Sequence, residues 1–190
     1  MTVTDSAGIT RASQIFYVSA AQASILIPSG VAQGAGSLTV TNGNHAPVTT
    51  PLTIGKVAPG LFTSNATGQG VAAAQAIRVH ADGKQDDPQN VGIFDSRQNQ
   101  WVPSPIDLGN STDTVYLLLY GTGIRHAAAT PSCTIGGKPA GVVYAGAQGS
   151  FLGLDQVIVL LPATLRGAGT VEVRLMVDGV TANTVSIAVQ

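Results

Sequence analysis

The residues best equipped for chemistry in this chain are three carboxylates in one short segment, Asp82-Gly-Lys-Gln-Asp86-Asp87. Carboxylate oxygens gathered in a loop are the donors that Ca²⁺ takes, so Asp82, Asp86 and Asp87 form a candidate cation loop. Their spacing is not that of an EF-hand, and Lys84 stands among the acids. A solvated turn is the plainer reading. Trp101, in Asn99-Gln-Trp-Val-Pro, is the only tryptophan. An exposed indole offers a flat face on which a sugar ring can stack, so Trp101 is a candidate ligand platform, with core packing or a loop clamp as the alternative.

Other chemistries lack their partners. His45, His80 and His126 share no metal-ligand spacing; each falls at a strand end or in a loop and reads as solvated or hydrogen-bonded. No Gly-x-Ser-x-Gly elbow occurs. Glu172 is the only glutamate, on an alternating strand, and nothing marks a pair of aspartates for glycosidase work. Gly68-Gln-Gly70-Val-Ala-Ala73 imitates part of a dinucleotide fingerprint, but that motif needs a helix N-terminus inside a βαβ unit, and a Gly-rich loop entering a strand fits better. Cys133 is the one cysteine, so it can form neither an internal disulfide nor a CxxC metal site; it reads as a small buried apolar residue. Lys56, Lys84 and Lys138 have no evident buried acid for an isopeptide crosslink, and the sequons at Asn65 and Asn110 fall in loops. No catalytic residue and no cofactor is assigned.

Composition frames these absences. Hydrophobic residues make up 44% of 190, enough for a packed core, while charged residues are only 10%, well under the roughly one quarter of ordinary soluble domains. The surface must be covered by Thr, Ser, Asn, Gln and Gly, a composition typical of secreted β-proteins. Nine scattered Lys and Arg against ten acids supply no counterion-displacing patch for nucleic acid and no polybasic membrane signal. The longest apolar runs are too short to cross a bilayer as helices. Met1-Thr-Val-Thr-Asp is not a secretory leader, and the chain reads as a piece of something larger.

The elements that must position these residues are strands. Segments rich in Val, Ile, Leu, Thr and Tyr recur near 13–18, 22–27, 36–41, 48–54, 61–64, 71–79, 91–95, 99–102, 114–120, 132–136, 141–145, 155–161, 169–177 and 183–189. Turn residues separate them at Asn42-Gly43, Asp82-Gly83, Gly136-Gly137 and Asp178-Gly179. Many short strands at regular spacing predict a sandwich or a barrel.

Part of the pattern repeats. Gln22-Ala-Ser-Ile-Leu-Ile-Pro28 matches Gln156-Val-Ile-Val-Leu-Leu-Pro162, followed by Gly34-Ala-Gly36 against Gly167-Ala-Gly169, then Ser37-Leu-Thr-Val40 against Thr170-Val-Glu-Val173, and Leu52-Thr-Ile54 against Val185-Ser-Ile187. Phe16-Tyr-Val-Ser aligns more weakly with Val143-Tyr-Ala-Gly. Two copies of one unit predict two modules of like fold. The second copy is preceded by Thr114-Val-Tyr-Leu-Leu-Leu-Tyr-Gly-Thr-Gly; the first has no such strand before it, and is truncated or completed by neighbouring residues or another chain.

Thr134-Ile-Gly-Gly-Lys-Pro-Ala140, Leu160-Leu-Pro, the Gly-rich turn, Val-x-Val and Asn183 resemble the IPT/TIG type of immunoglobulin-like module. Over most of its length the chain resembles the Solibacter-type C-terminal domain of uncharacterised secreted acidobacterial proteins, through Val57-Ala-Pro-Gly-Leu-Phe62, Tyr116-Leu-Leu-Leu-Tyr-Gly-Thr-Gly-Ile-Arg125 and Gly153-Leu-Asp-Gln156. Ile158 departs from it, where that family tends to have Asn. The resemblance implies an extracellular or surface module and no activity.

The expected architecture is all-β: an immunoglobulin-like module over 1–57, a β-rich middle segment over 58–113 that packs on one module or forms a small β-unit, and a second module over 114–190. The expected role is structural, namely adhesion or assembly outside the cell through surface and edge-strand contacts. The expected partners are other protein chains or copies of itself, and a cell-surface glycan if the chain is instead a carbohydrate-binding module. No nucleic acid and no membrane insertion are expected.

Overall fold

The computed structural model describes residues 1–43 and 45–190. The fold is all-β: among the described residues there is no α-helix, and one 3₁₀ turn spans Ala163–Leu165. The chain divides into two compact units, Met1–Lys56 and Val57–Gln190.

The first unit holds β1 (Thr2–Thr4), β2 (Thr10–Ala12), β3 (Gln14–Val18), β4 (Ala23–Leu26), β5 (Gly34–Val40) and β6 (Val48–Ile54). One sheet runs β2-β1-β5-β6 and the other is the ribbon β3-β4, every pairing antiparallel. β1 and β2 are strands that period-two reading passed over, because three residues are too few to show alternation. β1 nonetheless sits inside its sheet and buries Val3 completely. A buried carboxylate anchors the unit. Asp5 accepts hydrogen bonds from the backbone N–H groups of Ala7, Ile9 and Ala32 and from Arg11. The Ala32 N–H leads in holding its carboxyl down, against burial, at about 2. Among the described residues of this unit the buried apolar side chains are Val3 and Ile54, a thin core.

The second unit begins with β7 (Gly60–Leu61), β8 (Ala74–Val79), β9 (Gln89–Asn90), β10 (Gly92–Asp95), β11 (Gln100–Pro103) and β12 (Pro105–Ile106). It continues with β13 (Thr114–Thr122), β14 (Ser132–Ile135), β15 (Lys138–Ala140), β16 (Val142–Ala147), β17 (Asp155–Leu160), β18 (Gly169–Val177), β19 (Val180–Thr181) and β20 (Val185–Val189). Its two large sheets run β16-β17-β13-β8-β9, with β7 also on β13, and β12-β20-β18-β14-β15, with β19 also on β18. Alternate residues of both sheets meet in one buried cluster: Val115, Leu117, Leu119, Val157 and Val159 from the first, Cys133, Ile135, Val173, Leu175 and Ile187 from the second. Burial pushes the Cys133 thiol up to about 11.

Residues 58–113 therefore do not stand as a separate middle body. β8 pairs with β13 over six residues, and β12 extends the opposite sheet by lying parallel to β20. The segment supplies strands to both layers of the second sandwich. The stretch Val71–Val79, which alternates at its end, is strand from Ala74 onward.

The repeat is visible in the pairing registers. Ile15 faces Ile25 and Tyr17 faces Ser24, with a bulge at Phe16; Val142 faces Val159 and Tyr144 faces Ile158, with a bulge at Val143. These are the residues that the sequence alignment set against each other. In the other layer Gly34 faces Ile54, and Gly169 faces Val189. Those pairings differ from the sequence alignment by four residues taken over the two strands together, an even number.

Candidate functional site

β11 carries Trp101 on a hairpin with β10, whose register sets Phe94 directly opposite. The two rings meet edge to face, centroids 5.7 Å apart at 67°. Trp101 keeps 40% of its surface exposed and borders an open groove of about 450 Å³. Polar side chains from three neighbouring strands complete the lining: Gln75 of β8, Asn90 of β9 and Tyr120 of β13, with Ser64 beside them. They are held in order. The Tyr120 hydroxyl donates to Gln75 Oε1 at 2.9 Å, and Gln75 Nε2 donates to Asn90 Oδ1 at 3.2 Å. An aromatic wall beside amide and hydroxyl groups can stack a ring and hydrogen-bond its hydroxyls. It contains no nucleophile–base pair.

The three carboxylates of the cation loop do not converge. Asp82 caps its own turn, accepting from the Lys84 N–H at 2.9 Å. Asp86 turns back toward β8, where it accepts from Arg78 Nε at 2.8 Å and lies 2.9 Å from His80 Nε2. Asp87 is exposed. Asp86 follows a hairpin turn that returns it to the Arg78 guanidinium and the His80 ring, and its two oxygens are used there. Among the described residues no group of three or more His, Cys, Asp or Glu is arranged to hold a metal ion.

The cluster that does form was not visible in the spacing. Arg78 bridges Asp86 and Asp107, and His80 lies between Asp86 and Asp113. The Asp86 hydrogen bond leads in raising the His80 pKa above its usual 6.5, and the His80 hydrogen bond leads in lowering that of Asp86. The cluster ties the loops at one end of β8 to the start of β13.

Two residues carried by the family resemblance acquire physical roles. Asp155, 1% exposed, accepts from the backbone N–H groups of Ile124 and Arg125 and from the Arg125 side chain, whose Nη2 also donates to the Leu154 carbonyl. Asn183 behaves like a strand partner for Leu61, accepting from its N–H and donating to its carbonyl, and it also donates to the Gly68 carbonyl. Gly68-Gln-Gly70 is thus a loop pinned at Gly68 to Asn183 and at Gly70 to Ser186, and no helix follows it.

In the first unit, Ile15, Phe16, Tyr17 and Val18 of β3 are 45–57% exposed in one unbroken run. Among the described residues β3 and β4 pair only with each other, so this unit offers apolar side chains and open strand edges together.

No protein-family model, curated protein or solved structure matches the chain.

Proposed function

We propose that this chain is a non-catalytic extracellular module that assembles with other polypeptides through exposed apolar surface and open strand edges. The observation that carries the reading is the β3–β4 ribbon: four consecutive exposed apolar residues on a two-stranded sheet, in a unit with a thin core. Soluble proteins normally cover or interrupt such edges, and apolar surface left open marks an interaction site. The sparse charge fits the same picture, as does the resemblance to IPT/TIG-like modules and to the Solibacter-type C-terminal domain, which implies an extracellular setting.

Panning the full chain against a displayed library of extended peptides tests this, alongside sedimentation over a concentration series. Selection of alternating apolar sequences, or reversible self-association, supports the reading. A chain that selects no peptide and stays monomeric throughout overturns it.

The Trp101 groove favours a second reading, a carbohydrate-binding module, because a partly exposed indole stands beside Gln75, Asn90 and Tyr120. A glycan array reads this directly. Binding that disappears in Trp101→Ala supports it, and an array with no signal removes it.

A further inference from the structure

We propose that the free edge of β4 is an acceptor for one added strand: an extended segment of a partner polypeptide, with alternating aliphatic side chains like those of β13, running antiparallel to Ala23–Ile27. This rests on the assembly reading above and names the edge and the chemistry of what fills it.

The second unit shows what occupies the corresponding place. Its β16–β17 ribbon has the same register and the same bulge as β3–β4. β17 is not an edge there, because β13 lies along its other side, with Leu117 facing Val159 and Leu119 facing Val157. Among the described residues the first unit has no strand in the position of β13: its β1 pairs in the opposite sheet, between β2 and β5.

Burial shows the consequence. Under β13, Val157 and Val159 are fully buried and Leu161 is 5% exposed. The residues matched to them are Ala23, which is exposed, Ile25, which is half-buried, and Ile27, which is 44% exposed. The Leu161 N–H donates to the Val115 carbonyl, whereas the Leu160 N–H donates to Gly141 on the ribbon side. By the same alternation, Ala23, Ile25 and Ile27 turn their backbone groups toward the open side of β4.

The other edges of this unit carry devices against pairing; β4 carries only its own brevity, at four residues. β2 has three residues and includes Arg11. β3 is bulged at Phe16. β6 contains Pro51, which has no N–H to offer a pairing strand. Short length, charge, bulges and proline are the standard means of blunting an edge. β4, Ala-Ser-Ile-Leu, has no charge, no proline and full regularity. The β13 of a second copy does not supply the missing strand, because it is held on both sides by β8 and β17.

The test uses the full chain and a lysine-tagged peptide with the sequence Thr114–Thr122. The expected result is saturable binding, slowed amide exchange at Ala23, Ile25 and Ile27, and roughly tenfold weaker binding in Ile25→Pro, which removes an outward N–H. Ala23→Pro, at the strand's first residue where proline is tolerated, repeats the test with less risk to folding, and the exchange map reads the site with no substitution at all. Absence of peptide binding overturns the inference, as does protection of those amides by self-association without peptide, which makes a second copy the occupant. If library peptides bind but protect another edge, this inference falls while the assembly reading stands.

Discussion

Removal of the Asp155 carboxylate is the sharpest test of how the second sandwich is held. In Asp155→Ala the backbone N–H groups of Ile124 and Arg125 lose their acceptor inside a site that is 1% exposed. Each buried donor left unpaired costs about 1–3 kcal/mol. The Arg125 side chain keeps 30% of its surface in water and retains its bond to the Leu154 carbonyl, so its share of the loss is about 0–1 kcal/mol. Together these span about 2–7 kcal/mol, and the loss of about 3–5 kcal/mol seen when one member of a buried pair is removed lies inside that span. Arg125→Ala should cost far less, because both backbone N–H groups keep their acceptor. Urea unfolding followed by tryptophan fluorescence reads this cleanly: Trp101 is the only tryptophan and lies in the second unit. With a slope of about 1–3 kcal/mol per molar urea, the midpoint should fall by at least about 1 M. Equal losses for the two substitutions, or a loss below about 1 kcal/mol for Asp155→Ala, would refute the assignment of the energy to the backbone donors.

Three further outcomes follow. Because the Asp5 carboxyl is held at about 2, below its usual 3.8, the unfolded chain takes up this proton first as pH falls. The contribution of Asp5 is present above pH 3.8 and lost as pH drops toward 2; amide spectra of the first unit through an acid titration should show this loss, and Asp5→Asn should abolish that pH dependence. His80 is raised above 6.5, chiefly by Asp86, so its contribution is full below pH 6.5 and lost as pH rises through the higher folded value; an NMR titration of the ring should show this, and Asp86→Asn should bring the midpoint down. Gly123→Ala should destabilise the second unit by about 2–4 kcal/mol, because its φ is +72° and an added Cβ would sit 2.0 Å from the Ala58 carbonyl oxygen; thermal unfolding measures it.

Some of this was legible in the residues. Alternating strands announce themselves because one face is buried: every second residue from Val115 to Gly121 in Thr114–Thr122, and Val173, Leu175 and Val177 in Gly169–Val177. Asp178-Gly179 turns as its sequence demands, with φ of 48° and 82°. The matched bulges at Phe16 and Val143 were legible as a weak alignment, though not as bulges. β12 was not readable, since two residues beginning with proline and pairing in parallel with β20, far along the chain, leave no local period. The same holds for the groove and for the Arg78 cluster. Gln75, Asn90, Trp101 and Tyr120 come together only through sheet order, and Asp86 joins Arg78 and His80 through a turn whose direction composition does not encode.

Cys133 has a practical consequence. A thiol 4% exposed, with its pKa at about 11, is scarcely ionised at neutral pH, and only the thiolate attacks electrophiles. The native sulfur therefore stays silent toward maleimide labels in the folded chain. One engineered cysteine on β4 could carry a dye or spin label alone, which makes the open edge observable without first removing the native residue.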